Sequence, residues 1–132
     1  MPRMPRRHAA ACLHRRAPAR YGSGWVSADR VDIRALTVQV EQVSQVYATR
    51  FGIERDSNWQ ILKLHEEVGE LTQAHLMRQG QARSKGHSAA EIEATFRAEV
   101  ADVLSHILLL AHHHDIDILD EVERKWLVWR DG

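Results

Sequence analysis

From Asp32 onward, apolar residues recur at three- and four-residue steps, a spacing that predicts amphipathic helices and no strand of useful length. The first helix spans about Ile33 to Arg50, with Leu36, Val40, Val43 and Tyr47 on one face, Asp32 as its cap and Phe51-Gly52 as its stop. A second begins at Ser57-Asn58-Trp59-Gln60, read as a capping box in which Ser57 caps and Gln60 reaches back, and runs to about Arg78. The polar segment from Gln79 to His87, with Gly80 and Gly86, reads as a loop. A second box, Ser88-Ala89-Ala90-Glu91, then opens a third helix that ends near His114. The fourth helix is expected from about Ile118 to Trp129, capped by Asp117. The fold class is therefore all-α, a four-helix bundle.

The third helix departs from simple amphipathicity. From Val103 to Ala111 it is apolar nearly all round, apart from Ser105 and His106, which predicts burial on more than one side. A chain of 132 residues offers one modest core to bury it against, so a dimer or larger assembly is expected to cover the rest. Trp126 and Trp129 bracket Leu127-Val128 and are expected to staple the C-terminal helix or to enter an oligomer contact.

Charge divides the chain. Residues 1–30 hold seven Arg and one Asp, a net +6, whereas residues 31–132 hold eleven Lys/Arg and seventeen Asp/Glu, a net −6. The head, rich in Arg and Ala and interrupted by Pro2, Pro5 and Pro18, reads as a disordered basic tail up to residue 31. A targeting signal and a misassigned start near Val26 or Val31 are the alternatives. The acidic helical part argues against nucleic acid as a partner, and no apolar run is long enough for a membrane. The single cysteine, Cys12, allows no internal disulfide, so a reducing, cytoplasmic setting is the default.

Two acidic clusters lie inside the apolar helical runs: Glu66, Glu67 and Glu70 on the second helix, and Glu99 with Asp102 on the third. Residues three or four apart share a helix face, so each helix holds its carboxylates together near its buried side. Desolvating like charges is costly unless a cation neutralises them, and a hard divalent ion with oxygen ligands is the usual remedy. Two pairs on facing helices make a suitable cradle for Mg²⁺, which keeps several waters and binds through a few carboxylates plus substrate phosphates. The chain has no Glu-x-x-His, which sets aside a di-iron carboxylate bundle.

The order Glu-Glu-x-x-Glu, twenty-eight residues from Leu71 through Ala98, then Glu-x-x-Asp resembles the signature of the MazG-like nucleotide pyrophosphohydrolases of the all-α NTP pyrophosphatase superfamily. Trp59, Lys63, the Glu67-Val68-Gly69-Glu70-Leu71 core, Glu99 to Leu104, Asp115-Ile116-Asp117-Ile118 and Lys125 extend the resemblance over about residues 32–130. It implies a dimeric or tetrameric helical bundle that uses Mg²⁺, with Mn²⁺ as a substitute, to hydrolyse a nucleoside triphosphate to the monophosphate and pyrophosphate, a reaction suited to cleansing the nucleotide pool. Glu67, Glu70, Glu99 and Asp102 match the family's metal ligands. Phosphoribosyl-ATP pyrophosphohydrolase is a related alternative. From another class, the alternative is a catalytically silent helical oligomer that keeps the acids for structural metal or as an interaction module.

Other residues carry paired readings. Glu66 neighbours Glu67 but points about 100° away on the helix, which makes it the candidate general base, the alternative being an acid that only supports the ligands or faces solvent. Lys63 and Lys125 are candidates for substrate phosphates, against an i,i+4 pair with Glu67 and an exposed helix-end lysine respectively. Where related sequences carry Asn four residues beyond that last lysine, this chain has Trp129. Trp59 lies on the stripe of Glu67 and Glu70, where it either stacks on a nucleobase or packs in the core. His106 reads as a core or outer-shell histidine or as a phosphate contact. The run His112-His113-His114 points in different directions on a regular helix and reads as a solvated end.

Overall fold

The computed structural model describes residues 32–130, and among these every regular element is helical. The expectations for residues 1–31, a basic tail carrying Cys12, lie outside the described residues. Helix α1 is Ile33–Phe51, α2 Ser57–Arg78, α3 Ala89–His113 and α4 Ile118–Lys125, followed by a 3₁₀ turn, Leu127–Trp129. None is long and apolar enough to cross a membrane.

Local chemistry sets the helix ends. The Asp32 carboxylate accepts from the Ala35 amide at 2.8 Å, and Gly52 closes α1 at φ 62°, a left-handed conformation that glycine adopts without a Cβ penalty. The capping box at Ser88 is complete: its hydroxyl accepts from Glu91 N at 3.2 Å while its own amide donates to Glu91 Oε2 at 2.8 Å. Asp117 caps α4 through the amides of Leu119 and Asp120.

Two boundaries differ from the sequence reading. The cap of α2 is Asp56, whose carboxylate accepts from Trp59 N at 2.7 Å. A charged acceptor there also meets the positive end of the helix dipole, so Ser57 becomes the first helical residue and its Oγ sits 3.0 Å from His113 Nε2. Helix α4 stops at Lys125 instead of continuing to Trp129. It has no buried residue, and a two-turn helix without a packed face does not propagate well.

Helices α2 and α3 form the main interface and run antiparallel, with Ser57 beside His113 at one end and Arg78 Nε 2.6 Å from Glu93 Oε2 at the other. Helix α1 packs on α3. The buried apolar residues are Ala48 from α1, Trp59 and Ala74 from α2, and Leu108, Leu109 and Ala111 from α3. Across the α1–α2 connection, Arg55 clamps Glu41, and Arg34 joins the start of α1 to Asp117 and Asp120 of α4.

This core is small, and much apolar surface is left outside it. On α3, Val100, Leu104 and Ile107 follow i, i+4, i+7 spacing and are all exposed, so part of the expected all-round burial is missing in one chain. Trp126 and Trp129 are 69% and 77% exposed, so neither staples the C-terminal end within the protomer.

Candidate metal centre

The α3-facing side of α2 carries a polar stripe beside buried Trp59 and Ala74. Gln60, Lys63 and Glu67 recur at three- and four-residue steps, and all three are buried, with Glu70 half-buried one turn further on. Opposite them α3 buries Glu99 and His106. Glu67, Glu70 and Glu99 each offer a carboxylate oxygen, and these oxygens lie within 4.8 Å of one another. Three of the four acids expected to be ligands are thus gathered at one place, from two helices.

The antiparallel α2–α3 pairing explains this convergence. Glu67 and Glu70, one turn apart on α2, stand level with Glu99 on α3, and these three side chains meet between the helices. Octahedral Mg²⁺ places oxygens on opposite sides of the ion about 4.2 Å apart, twice the ~2.1 Å bond, so side-chain adjustment alone brings such a triad to coordination distance. The donors are all hard oxygens, which fits Mg²⁺ or Mn²⁺ better than a soft metal.

Asp102, the fourth expected ligand, is outside that triad but within its field. Desolvation, followed by the charges of Glu67 and Glu70, raises its carboxyl above the ordinary value, with Lys63 pulling the other way. A divalent ion would reverse this balance.

Lys63 is in contact with the cluster. Its Nζ is 2.9 Å from Glu67 Oε1 and 3.0 Å from Glu66 Oε2, so the i,i+4 pair of the sequence reading is present. Desolvation works against the ammonium, but the hydrogen bonds to Glu67 and then Glu66, with their charges, outweigh it and raise its pKa. His106 Nε2 is 3.8 Å from the same Glu67 oxygen, and burial holds the imidazole below its usual pKa despite that neighbour. Its Nδ1 is buried with no hydrogen-bond partner among the described residues.

Glu66 stands beside the cluster through Lys63. Trp59 is buried, with its ring centroid 6.2 Å from that of His106, so in the isolated chain it packs in the core. Lys125 is exposed at the end of α4, and no ion pair joins it to the acids among the described residues. Of the histidine run, His113 meets Ser57 and the ring of His114.

Two features escaped the sequence reading. Gln60, expected to complete a cap, is 2% exposed and its Oε1 is buried without a partner among the described residues. Its i+3 and i+7 relation to Lys63 and Glu67 is visible in the sequence once Asp56 takes the cap. The Glu41–Arg55 clamp joins residues from a helix and a loop, for which no periodicity gives notice.

Comparison with known proteins finds no family model, no curated protein and no solved structure that matches the chain.

Proposed function

We propose that residues 32–130 form a Mg²⁺-dependent nucleoside triphosphate pyrophosphohydrolase of the MazG-like kind, releasing a nucleoside monophosphate and pyrophosphate. The observation that carries this reading is the meeting of Glu67, Glu70 and Glu99 oxygens within 4.8 Å between two helices. With Asp102 they are the residues to hold the metal. When bound, the ion neutralises phosphate oxygens and makes a water easier to deprotonate.

This chain's own side chains then have distinct tasks. Glu66, at the edge of the cluster, accepts the proton of the attacking water. Lys63 reaches the phosphates as a point charge, and Lys125 does so if the working assembly brings α4 to the site. Trp59 serves the base only if it leaves its core position. The exposed apolar stripe of α3 and the Trp126–Trp129 end support self-association as a dimer or tetramer.

The test is a panel of canonical and damaged nucleoside triphosphates with Mg²⁺ or Mn²⁺, scored for monophosphate and pyrophosphate. Metal-dependent release of both products from a triphosphate supports the reading. Turnover restricted to phosphoribosyl-ATP assigns the chain to the related enzyme. Metal binding without turnover of any substrate points to the silent oligomer, and orthophosphate as product points to different chemistry.

A further inference from the structure

Glu67 Oε1 already has a cation. Lys63 reaches it from one turn earlier on the same helix, at 2.9 Å, and the two side chains are 8% and 10% exposed. The pair is therefore shielded from the solvent that makes most i,i+4 pairs weak. Its acid is one member of the converging triad, and the Lys63 charge reaches as far as Asp102.

We infer that Lys63 is the resident counter-ion of Glu67 in the acidic centre, and that a divalent cation binds by displacing its ammonium from that carboxylate. The inference rests on the metal-centre reading and goes beyond it, because it gives the metal-free protein a defined state. Without that ammonium, the buried Glu67 carboxylate faces the other acids of the centre with one cation fewer between α2 and α3. With it, the interface stays closed and the acids stay converged. A metal ion and an ammonium held on the same carboxylate repel each other at close range, so binding of the ion at Glu67 favours departure of the Lys63 ammonium. Lysine suits the exchange: its four-carbon stem is flexible, so the ammonium can swing away without moving the helix.

The experiment uses the full chain stripped of metal. Mn²⁺ is titrated into the native protein, Lys63→Met and Lys63→Arg, with free Mn²⁺ read by its electron paramagnetic resonance signal and thermal unfolding followed by circular dichroism. Lys63→Met removes the competitor, so it should bind Mn²⁺ about tenfold more tightly than the native protein, the effect of about 1.4 kcal/mol of relieved charge repulsion, and melt lower when metal-free. Lys63→Arg keeps the charge and should bind no more tightly than the native protein. Binding by Lys63→Met alone carries the inference too. Equal or weaker binding by Lys63→Met, with the native protein binding normally, overturns the exchange and leaves the metal centre standing. Failure of all three proteins to bind removes the metal centre and the exchange with it. Should Lys63→Met be unfolded when metal-free, refolding on Mn²⁺ addition supports the inference. Failure to refold at Mn²⁺ levels that saturate the native protein counts against it.

Discussion

Arg55 grips Glu41 with two nitrogens: Nη2 lies 2.7 Å from Oε1 and Nη1 3.0 Å from Oε2, with side chains only 16% and 12% exposed. Nη1 also donates to Ser44 Oγ at 3.0 Å. The fork-to-carboxylate geometry ties the α1–α2 connection to the middle of α1.

Breaking this pair from one side leaves a nearly buried charge without its partner. Arg55→Met should cost about 3 kcal/mol, the low end of the range for buried pairs, because some solvent reaches both groups. The pH dependence has a definite sign. The hydrogen bond from Arg55 holds the Glu41 carboxyl below its ordinary 4.5, so the pair's contribution is complete above that value and is lost as pH falls through the depressed one. Denaturant unfolding at pH 7 and at steps between about pH 5 and 3 should show this acid loss in the native protein and a flatter profile in Arg55→Met. Identical profiles would remove the clamp from any account of acid stability.

Ligand and base roles separate by mutation. Glu70→Ala and Asp102→Ala should abolish triphosphate hydrolysis together with tight metal binding. Glu66→Gln keeps size and hydrogen bonding but cannot take a proton, so turnover should fall roughly 10²- to 10⁴-fold while Mg²⁺ affinity holds. Isothermal titration and product analysis on the same preparations check both. Normal turnover in Glu66→Gln would leave it as a partner of Lys63 and nothing more.

Asp102 predicts opposite effects with and without metal. Its carboxyl is raised by desolvation and by Glu67 and Glu70, so the ionised form is destabilising in the metal-free fold at neutral pH. Asp102→Asn should therefore melt slightly higher than the native protein without metal, by about 0.5 kcal/mol or less, as solvent screens this exposed residue. It should gain less from added Mg²⁺. A lower metal-free melting point in Asp102→Asn would contradict the electrostatic argument.

Self-association is addressed on α3. Val100, Leu104 and Ile107 form one exposed apolar stripe, and a charge placed there would have to be buried in any interface that uses it. Sedimentation at micromolar concentration should find the native chain larger than a monomer and Leu104→Glu monomeric with unchanged helix content. A monomeric native chain would sink the assembly.

The helical class was legible because it depends on local rules. Asp32, Ser88 and Asp117 cap where sequence places them, since capping needs one side chain and amides two or three residues away. Where two caps compete within adjacent residues, as with Asp56 and Ser57, local pattern does not decide; the backbone conformation at Asp56 does. The sequence likewise put Lys63 one turn from Glu67 and each acid pair on one face.

What the sequence by itself determined is the helices and the side of each that carries the acids, because both follow from spacing along a single element. Only the tertiary structure decided that Glu67, Glu70 and Glu99 meet within 4.8 Å, that Gln60 is buried and that Arg55 reaches Glu41. It also left the WLVW end, Trp126 to Trp129, outside the core, with α4 two turns long. These outcomes depend on how α2 is paired with α3 and how α1 is laid on α3. Such register is set by packing between elements distant in sequence, for which the period of one helix carries no information.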